Sequence, residues 1–178
     1  MNPYLAQFLP KIKALRIYQI AGGCIGIALT GWSFLTNMNK LSAPILLILV
    51  IAVMLYAFSI YCAILLLDDT ETALNLLLIN QGLQILNFGI AGFAFKFVSG
   101  FYLSAGLDMS ESTSFMFNAG LSEWTITLNA NEPLAYVNIN FVALSLFFFI
   151  LNLKDNIKKA RIENQLSDFI VSETEKIN

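Results

Sequence analysis

Four long stretches of this chain are apolar and contain no Asp, Glu, Lys or Arg. They cover approximately residues 17–36, 44–67, 73–95 and 134–153. Each reaches the roughly 20 residues that a helix needs to cross about 30 Å of hydrocarbon. Because lipid offers no hydrogen-bond partner to the backbone, runs of this kind are expected to be helical. The sequence therefore predicts an all-α integral membrane protein with four transmembrane helices.

The composition agrees with a membrane protein. Of the 178 residues, 57% are hydrophobic and 12% are charged, whereas a soluble domain averages about 45–50% apolar and about 25% charged residues. So few charged side chains cannot cover the surface of a globule in water. We therefore expect membrane lipid to contact much of the chain.

The basic residues predict the orientation. They cluster before the first apolar run and after the fourth: Lys11, Lys13, Arg16, Lys154, Lys158, Lys159 and Arg161. Lys and Arg concentrate on the cytoplasmic side of a membrane. The sequence thus predicts a multi-pass protein of a bacterial inner (plasma-type) membrane with both termini in the cytoplasm. Residues 37–43 and 97–132 would form outer loops, and 154–178 a cytosolic tail.

Residue types that carry most catalytic chemistry are absent. The chain has no histidine, which is the commonest general base and metal ligand. The apolar runs hold no ionisable residue of the kind that proton-coupled transporters and pumps require. Asp68 and Asp69 are expected to cap a helix, where an acid favours the dipole. We predict no enzyme, catalytic residue, metal, cofactor or direct nucleic-acid binding.

The long outer loop predicts a small β element. Between 97 and 132 it holds Asp108, Glu111, Glu123 and Glu132. The segment SFMFNAGLSEWTITL (114–128) contains two alternating arms around a glycine, a pattern typical of a β-hairpin. Such a hairpin would either bind a molecule outside the membrane or seal the top of an oligomer.

A ladder of amides marks the third apolar run. At about 100° per residue, Asn80, Gln84 and Asn87 share one helix face, and Gly82 and Gly89 lie on nearly the opposite face. Two interpretations stay open. The amides either line a pathway or join helices by hydrogen bonds, as amides commonly do in membranes. Asn138 and Ser145, in the fourth run, are their possible partners.

Two further patterns predict packing surfaces. Gly22, Gly26 and Thr30 form a row of small residues along the first run, which allows close approach of helices. In the tail, an apolar stripe at helical spacing predicts contact with a cytosolic protein, another copy or the membrane surface. A short helix without a partner is the alternative. The stripe consists of Ile162, Leu166, Phe169 and Ile170.

These patterns favour one function and leave one alternative. The expected function is a non-enzymatic, homo-oligomeric sensor or anchor subunit. It would couple the outer loop to a cytosolic partner protein, as signalling and antiviral-defence assemblies do, although that comparison is an analogy. The alternative is a small homo-oligomeric channel lined by the amide face of the third helix.

Overall fold

The computed structural model describes residues 3–38, 42–110, 112–128 and 135–177. The predicted outer loops include Lys40, Glu111 and Glu132, which lie outside the described residues. Within the described ranges, a 3₁₀ helix precedes three α-helices, four strands follow, and one long helix comes last. In chain order these are the 3₁₀ helix Pro3–Phe8, α1 (Leu9–Thr36), α2 (Ala43–Leu65), α3 (Thr70–Ile85), β1 (Leu86–Ile90), β2 (Phe93–Asp108), β3 (Ser114–Thr127), β4 (Ala135–Asn140) and α4 (Phe141–Ile177).

The predicted all-α, four-span fold is wrong. The chain is a mixed α/β protein with a four-stranded antiparallel sheet. Among the described residues, two helical segments are long and apolar enough to cross a membrane, Tyr4–Thr36 and Ala43–Leu65. The other two apolar runs are divided between helix and strand. Apolar composition by itself does not distinguish a buried strand from a helix.

The third predicted span becomes a β-hairpin after α3 ends at Ile85. Strands β1 and β2 are joined by two residues with positive φ, Ala91 at 51° and Gly92 at 83°. Two such residues between antiparallel strands form a type I′ turn, which matches the twist of a hairpin. The fourth predicted span likewise starts as β4 and becomes helical at Phe141.

Strand β2 bends in the middle. Both β1 and β4 pair antiparallel with β2, and they also pair antiparallel with each other. Two strands that are antiparallel to one straight strand would be parallel to each other, so β2 has to bend. The register shifts between Val98 and Phe101, and Gly100 has a φ of +108°. At this bend, β1, β4 and the two halves of β2 form a closed cycle of pairings.

The hairpin predicted within 114–128 is also wrong. Strand β3 runs without interruption from Ser114 to Thr127 and pairs along its length with β2. Gly120, which was expected to form a turn, instead provides room for an aromatic ring. A Cβ atom at this position would lie 2.9 Å from the Tyr102 ring. The true hairpin is β2–β3, whose turn lies between Asp108 and Ser114.

The sheet packs beside the first two helices. Gly26 of α1 lies against the ring of Tyr56 in α2, and Gly22 lies against the backbone of Gly100 at the bend. The ring of Tyr56 also contacts Phe97 of β2, at 5.3 Å between centroids. The bend therefore reaches the middle of the two candidate spans. A separate apolar core joins the four helices at the end where the basic residues lie, called the basic end below; it includes Phe8, Ile12, Leu15, Leu66, Leu74, Leu77, Ile150 and Leu153.

One face of the sheet is apolar and uncovered. The register places alternate residues of β2, β3 and β4 side by side on it, and they are half-buried or exposed. This apolar sheet face consists of Phe101, Leu103, Ala105, Leu107, Phe115, Phe117, Ala119, Leu121, Val137 and Ile139. Most side chains on the opposite face are polar or small, such as Ser104, Asn138 and Asn140, which are at most 6% exposed. An apolar patch of this extent marks contact with lipid or protein.

The close approach of α1 to the bend gives a stability prediction. An alanine Cβ at Gly22 would lie 2.6 Å from the Gly100 nitrogen, and backbone cannot move aside cheaply. We expect Gly22→Ala to destabilise the fold by about 1–3 kcal/mol, as overpacking does. The change should lower the midpoint of thermal unfolding measured by circular dichroism in detergent.

Gly31→Ala is the matched control on the same helix. A Cβ at Gly31 meets nothing within 4 Å, so only the higher helix propensity of alanine, up to about 1 kcal/mol, should act. We expect an unchanged or higher midpoint for this variant. Equal midpoints for the two variants would contradict the packing of Gly22 against Gly100.

Candidate functional site

Polar side chains from three helices meet the sheet at its bend. Gln19 of α1 accepts hydrogen bonds at Oε1 from Ser59 Oγ of α2 (2.7 Å) and from Asn80 Nδ2 of α3 (3.2 Å). Asn80 Nδ2 also donates to Ser59 Oγ at 3.1 Å, and Ser99 Oγ of β2 donates to the same oxygen at 3.0 Å. All four side chains are fully buried. With Gln84, they are called the polar cluster below.

Gln84 ties the bend of the sheet to α3. Its Oε1 accepts a hydrogen bond of 2.8 Å from the backbone N–H of Ser99, and its Nε2 donates to the Asn80 carbonyl at 3.2 Å. Backbone groups at an irregular point in a strand lack their usual partner, and burial makes an unpaired group costly. The amide of Gln84 provides that partner.

Ser122 makes the corresponding link to α1. Its hydroxyl accepts a hydrogen bond from the Gly100 N–H at 2.9 Å and donates one to the Gly22 carbonyl at 2.8 Å. Ser122 is only 3% exposed and lies where the register of β3 shifts against β2. The bend is thereby fixed to two helices through hydrogen bonds on both sides.

The structure separates the predicted amide ladder into two places. Asn80 and Gln84 belong to the polar cluster, whereas Asn87 lies in β1, where its register partner on β4 is Asn138. The side chain of Asn87 and the Asn138 Oδ1 are buried without a hydrogen-bond partner among the described residues. Ser145, on α4, is exposed and is not brought to them. The predicted face is therefore shared between a helix and a sheet.

The small-residue row contacts both the helices and the sheet. Thr30 Oγ1 donates to the Gly26 carbonyl at 2.8 Å and accepts a hydrogen bond of 3.0 Å from Trp124 Nε1 of β3. On the predicted glycine face, Gly89 lies against the Tyr136 ring. Gly82 has open space beside it. Of these two glycines, only Gly89 lies at a close contact within the described chain.

An ionic group lies on the sheet towards the end of α1 at Thr36. Lys96 Nζ of β2 is 2.6 Å from Glu123 Oε2 of β3, and the Tyr102 hydroxyl donates to the same carboxylate oxygen. Lys96 also lies over the Tyr102 ring, at 4.4 Å from the centroid. The Glu123 carboxylate thus has two partners, Lys96 and Tyr102, which also contact each other.

The pKa values of the ionic group follow from this geometry. Partial burial by itself would raise the pKa of Glu123, but the hydrogen bonds from Lys96 and Tyr102 and the ammonium charge outweigh it and lower that pKa. Partial burial would lower the pKa of Lys96, but its bonds to Glu123 and Tyr102 raise it overall. Each partner thus favours the charged form of the other.

A cavity opens beside the ionic group, called the sheet cavity below. It has a volume of about 470 Å³. Helix α1 and strands β2 and β3 supply its lining: Leu29, Ser33, Tyr102, Gly120, Leu121, Ser122, Glu123 and Trp124. It offers two aromatic rings, three hydroxyls and a carboxylate. Ser122 both lines this cavity and anchors the bend to α1.

A larger cavity of about 710 Å³ lies at the basic end, called the charged cavity below. It is formed by the N-terminal segment, the α2–α3 turn and α4. Its charged lining residues are Asp68, Asp69, Glu71, Lys154, Lys158 and Arg161. Arg161 pairs with Glu71 at 3.0 Å, and Lys154 Nζ donates to Asn75 Oδ1 at 2.6 Å.

The helix-capping role expected for the acids is confirmed for Asp69. Its side chain accepts a hydrogen bond of 3.1 Å from the Thr72 N–H. Hydrogen bonding by the Thr72 side chain, and then by its N–H, lowers the pKa of the Asp69 carboxyl. The cap fixes the beginning of α3 at the rim of the charged cavity.

The tail continues α4 without a break. The helix extends from Phe141 to Ile177, so the predicted tail is the second half of a long helix. The four side chains of the predicted stripe are exposed by 55% to 62%. Ile162 at the start of the stripe also lines the charged cavity. The cavity and the stripe thus form one continuous surface.

Sequence reasoning found Asn80 and Gln84 but missed the other three members of the polar cluster and the whole ionic group. Gln19 could have been found as the one Gln, Asn or charged residue within the first apolar run before Asn37. Ser99 and Ser122 carried no usable signal, because their roles depend on the bend. Lys96 and Glu123 are far apart in the sequence, and only the strand register brings them together.

Comparison with known proteins adds no assignment, because no family model, curated protein or solved structure matches the chain. Among the described residues, no group of three or more His, Cys, Asp or Glu side chains could hold a metal ion. The groups that the two cavities and the polar cluster present are neutral amides, hydroxyls, aromatic rings and two ion pairs, Lys96–Glu123 and Arg161–Glu71.

The ionic group gives a pH prediction. Because Glu123 has a lowered pKa in the folded state, its contribution to stability is present above about pH 4.3, the ordinary pKa of glutamate, and is lost as the pH falls through the folded value. Its side chain is 44% exposed, so solvent screening limits the contribution to about 1 kcal/mol. We expect Glu123→Gln to be less stable than the wild type at pH 7.

Thermal unfolding of both proteins from pH 7 to pH 3 in detergent checks this. The difference in unfolding midpoint between the wild type and Glu123→Gln should be constant down to about pH 5 and should become smaller below about pH 4.3. Glu163→Gln, on the exposed part of α4, controls for general loss of an acid. A difference in midpoint between the wild type and Glu123→Gln that becomes larger in acid would contradict the lowered pKa of Glu123.

Proposed function

We propose that this protein is a non-enzymatic membrane subunit that couples its sheet to a cytosolic partner protein at the basic end. The observation that supports this most directly is the polar cluster. It joins α1, α2, α3 and β2 through buried hydrogen bonds of 2.7–3.2 Å. Such a network connects elements that would otherwise slide past one another in an apolar interior.

The two cavities lie at opposite ends of this connection. Ser122 lines the sheet cavity and also links the bend to α1. The charged cavity is lined by the beginning of α3, the helix that also carries Asn80 and Gln84. A molecule bound at the sheet cavity could act on the bend and, through the polar cluster, on the start of α3. We propose the sheet cavity as the sensing side and the charged cavity with the tail stripe as the partner side.

The proposed setting is a bacterial inner membrane crossed by α1 and α2. Two crossings return the chain to its starting side at Leu66, and α3 then enters the bundle again with the sheet. Helix α4 carries the chain back to the basic end, where it pairs with Glu71 through Arg161. Both termini would therefore be cytoplasmic, in agreement with the basic residues. Signalling or antiviral defence remains an analogy.

The alternative channel has less support. Asn80 and Gln84 direct their hydrogen bonds to Gln19, Ser59 and Ser99 of the same chain. A pore lined by the amide face of a third helix would need these side chains to face water. The cluster favours their use as links between elements.

A double-mutant cycle tests the coupling. Glu123→Gln, Asn80→Leu and the double variant are compared with the wild type in lipid nanodiscs by hydrogen–deuterium exchange. We expect Glu123→Gln to change the exchange of α4 amides around residues 162–170. When Asn80 is already replaced by leucine, the effect of Glu123→Gln on the free energy of local opening in α4 should be smaller by about 0.5–2 kcal/mol, a usual size for such coupling.

Leu83→Ala is the matched control, because Leu83 is an exposed residue of α3 that lies outside the polar cluster. Its effect on exchange in α4 should add to that of Glu123→Gln without coupling. Identical tail exchange in all variants would show that the sheet and the tail are independent and would defeat the proposed function.

Partner binding at the tail is tested separately. Replacing Ile162 and Leu166 by serine, or deleting the chain after Lys159, should remove a protein that co-purifies from native membranes. Stripe residues in a helix contact a partner through their apolar side chains, so Glu163→Gln should leave that protein bound. Retention of the same co-purifying protein by the deletion variant would exclude the tail as the contact.

A further inference from the structure

Strand β3 has one edge that nothing in the described chain covers. Strands β1 and β4 each pair on both edges, and β2 pairs with β3 on one edge and with β1 and β4 on the other. Within the described ranges, β3 pairs with β2 alone and stands at the end of the sheet. It is 14 residues long, so a long row of backbone N–H and C=O groups lies unpaired.

The edge lacks the devices by which proteins protect free strands. Residues 114–122 contain no Lys, Arg, Asp, Glu or Pro. A charge, a proline or a covering helix normally blocks an open edge. The carboxylate of Glu123, further along, is already bound by Lys96 and Tyr102. An uncharged strand edge of this length is a template for another strand.

The edge runs beside exposed apolar side chains. Phe115 and Phe117, near its beginning, are 94% and 69% exposed, and both belong to the apolar sheet face. An exposed apolar patch of this kind marks a contact with protein or lipid. A second strand at the edge would pair the free backbone groups and extend the apolar sheet face beside these rings.

We propose that β3 is an interface at which a second copy of this chain pairs antiparallel, about a two-fold axis. The strand fits itself. Opposite residues of an antiparallel pair point to the same face, so two copies keep the apolar sheet face continuous. The absence of charge in 114–122 means that self-pairing brings no like charges together.

The symmetry restricts the register. When two copies of one strand pair antiparallel, the residue numbers of every pair of opposite residues add up to the same sum. If that sum is even, residues of the apolar face lie opposite each other and the face stays continuous; if it is odd, they do not. The axis then passes beside a residue that pairs with its own copy. The stretch of β3 before the bend runs from Ser114 to Leu121. Centres at Phe117 or Asn118 keep the pairing within that stretch.

Cysteine cross-linking in native membranes tests the proposal. The two natural cysteines, Cys24 and Cys62, are first replaced by alanine, and the thermal unfolding midpoint shows that the fold is kept. Phe117→Cys and Asn118→Cys are then oxidised separately. We expect one of them to form a disulfide-linked product of twice 19.8 kDa, since only a self-paired position places equivalent Cβ atoms about 4.5–5.5 Å apart.

Mixed pairs determine the register and supply the control. Co-expressed Phe115→Cys and Leu121→Cys chains should cross-link if the centre is Asn118, and Phe115→Cys with Ala119→Cys if it is Phe117. Met54→Cys, on the exposed side of α2 at 64%, should stay monomeric. Equal dimer formation at Met54, or none at any β3 position, would overturn the proposal. A cross-linked product of another mass would show that a different protein pairs with the edge, which would also overturn the proposal.

Discussion

The fold depends on how the backbone N–H groups at the bend of β2 find hydrogen-bond partners. A strand that bends next to apolar helices leaves backbone groups without ladder partners, and burying them unpaired would be costly. Gln84 and Ser122 provide those partners at Ser99 and Gly100. Gln84 is itself part of α3, and Ser122 donates a hydrogen bond to the Gly22 carbonyl of α1. One physical requirement, satisfaction of buried backbone, therefore also fixes the sheet on the helices.

The polarity of the sheet follows from its surroundings. Its opposite face meets the helices through polar and small side chains together with Phe97 and Trp124, while the apolar sheet face points away from them. In a soluble protein the apolar face would be inside. Here the exposed surfaces of α1 and α2 are apolar as well, with Ile17 and Trp32 both 68% exposed. The sheet and the two helices thus present one apolar exterior, interrupted by charge chiefly at the basic end.

The amides illustrate how far the sequence could lead. Helical periodicity grouped Asn80, Gln84 and Asn87, and the first two do share a buried face of α3. The grouping ends where the helix ends, because Asn87 is already in β1. A Gly at the second turn position, Gly92, and the aromatic alternation in FAFKF were the available strand signals. They were outweighed by an uninterrupted apolar run, whose hydrophobicity is the same in either conformation.

Three properties can be read from the sequence alone: the apolar character of most of the chain, the clustering of most Lys and Arg residues before the first and after the fourth apolar run, and the capping of α3 by an acid. These properties are local, since composition, charge position and capping depend on neighbouring residues. Two further features emerge only in the folded chain: two of the four apolar runs contribute strands, and Lys96 meets Glu123. Those outcomes depend on strand pairing between distant residues, and no local pattern specifies which partner satisfies a buried group.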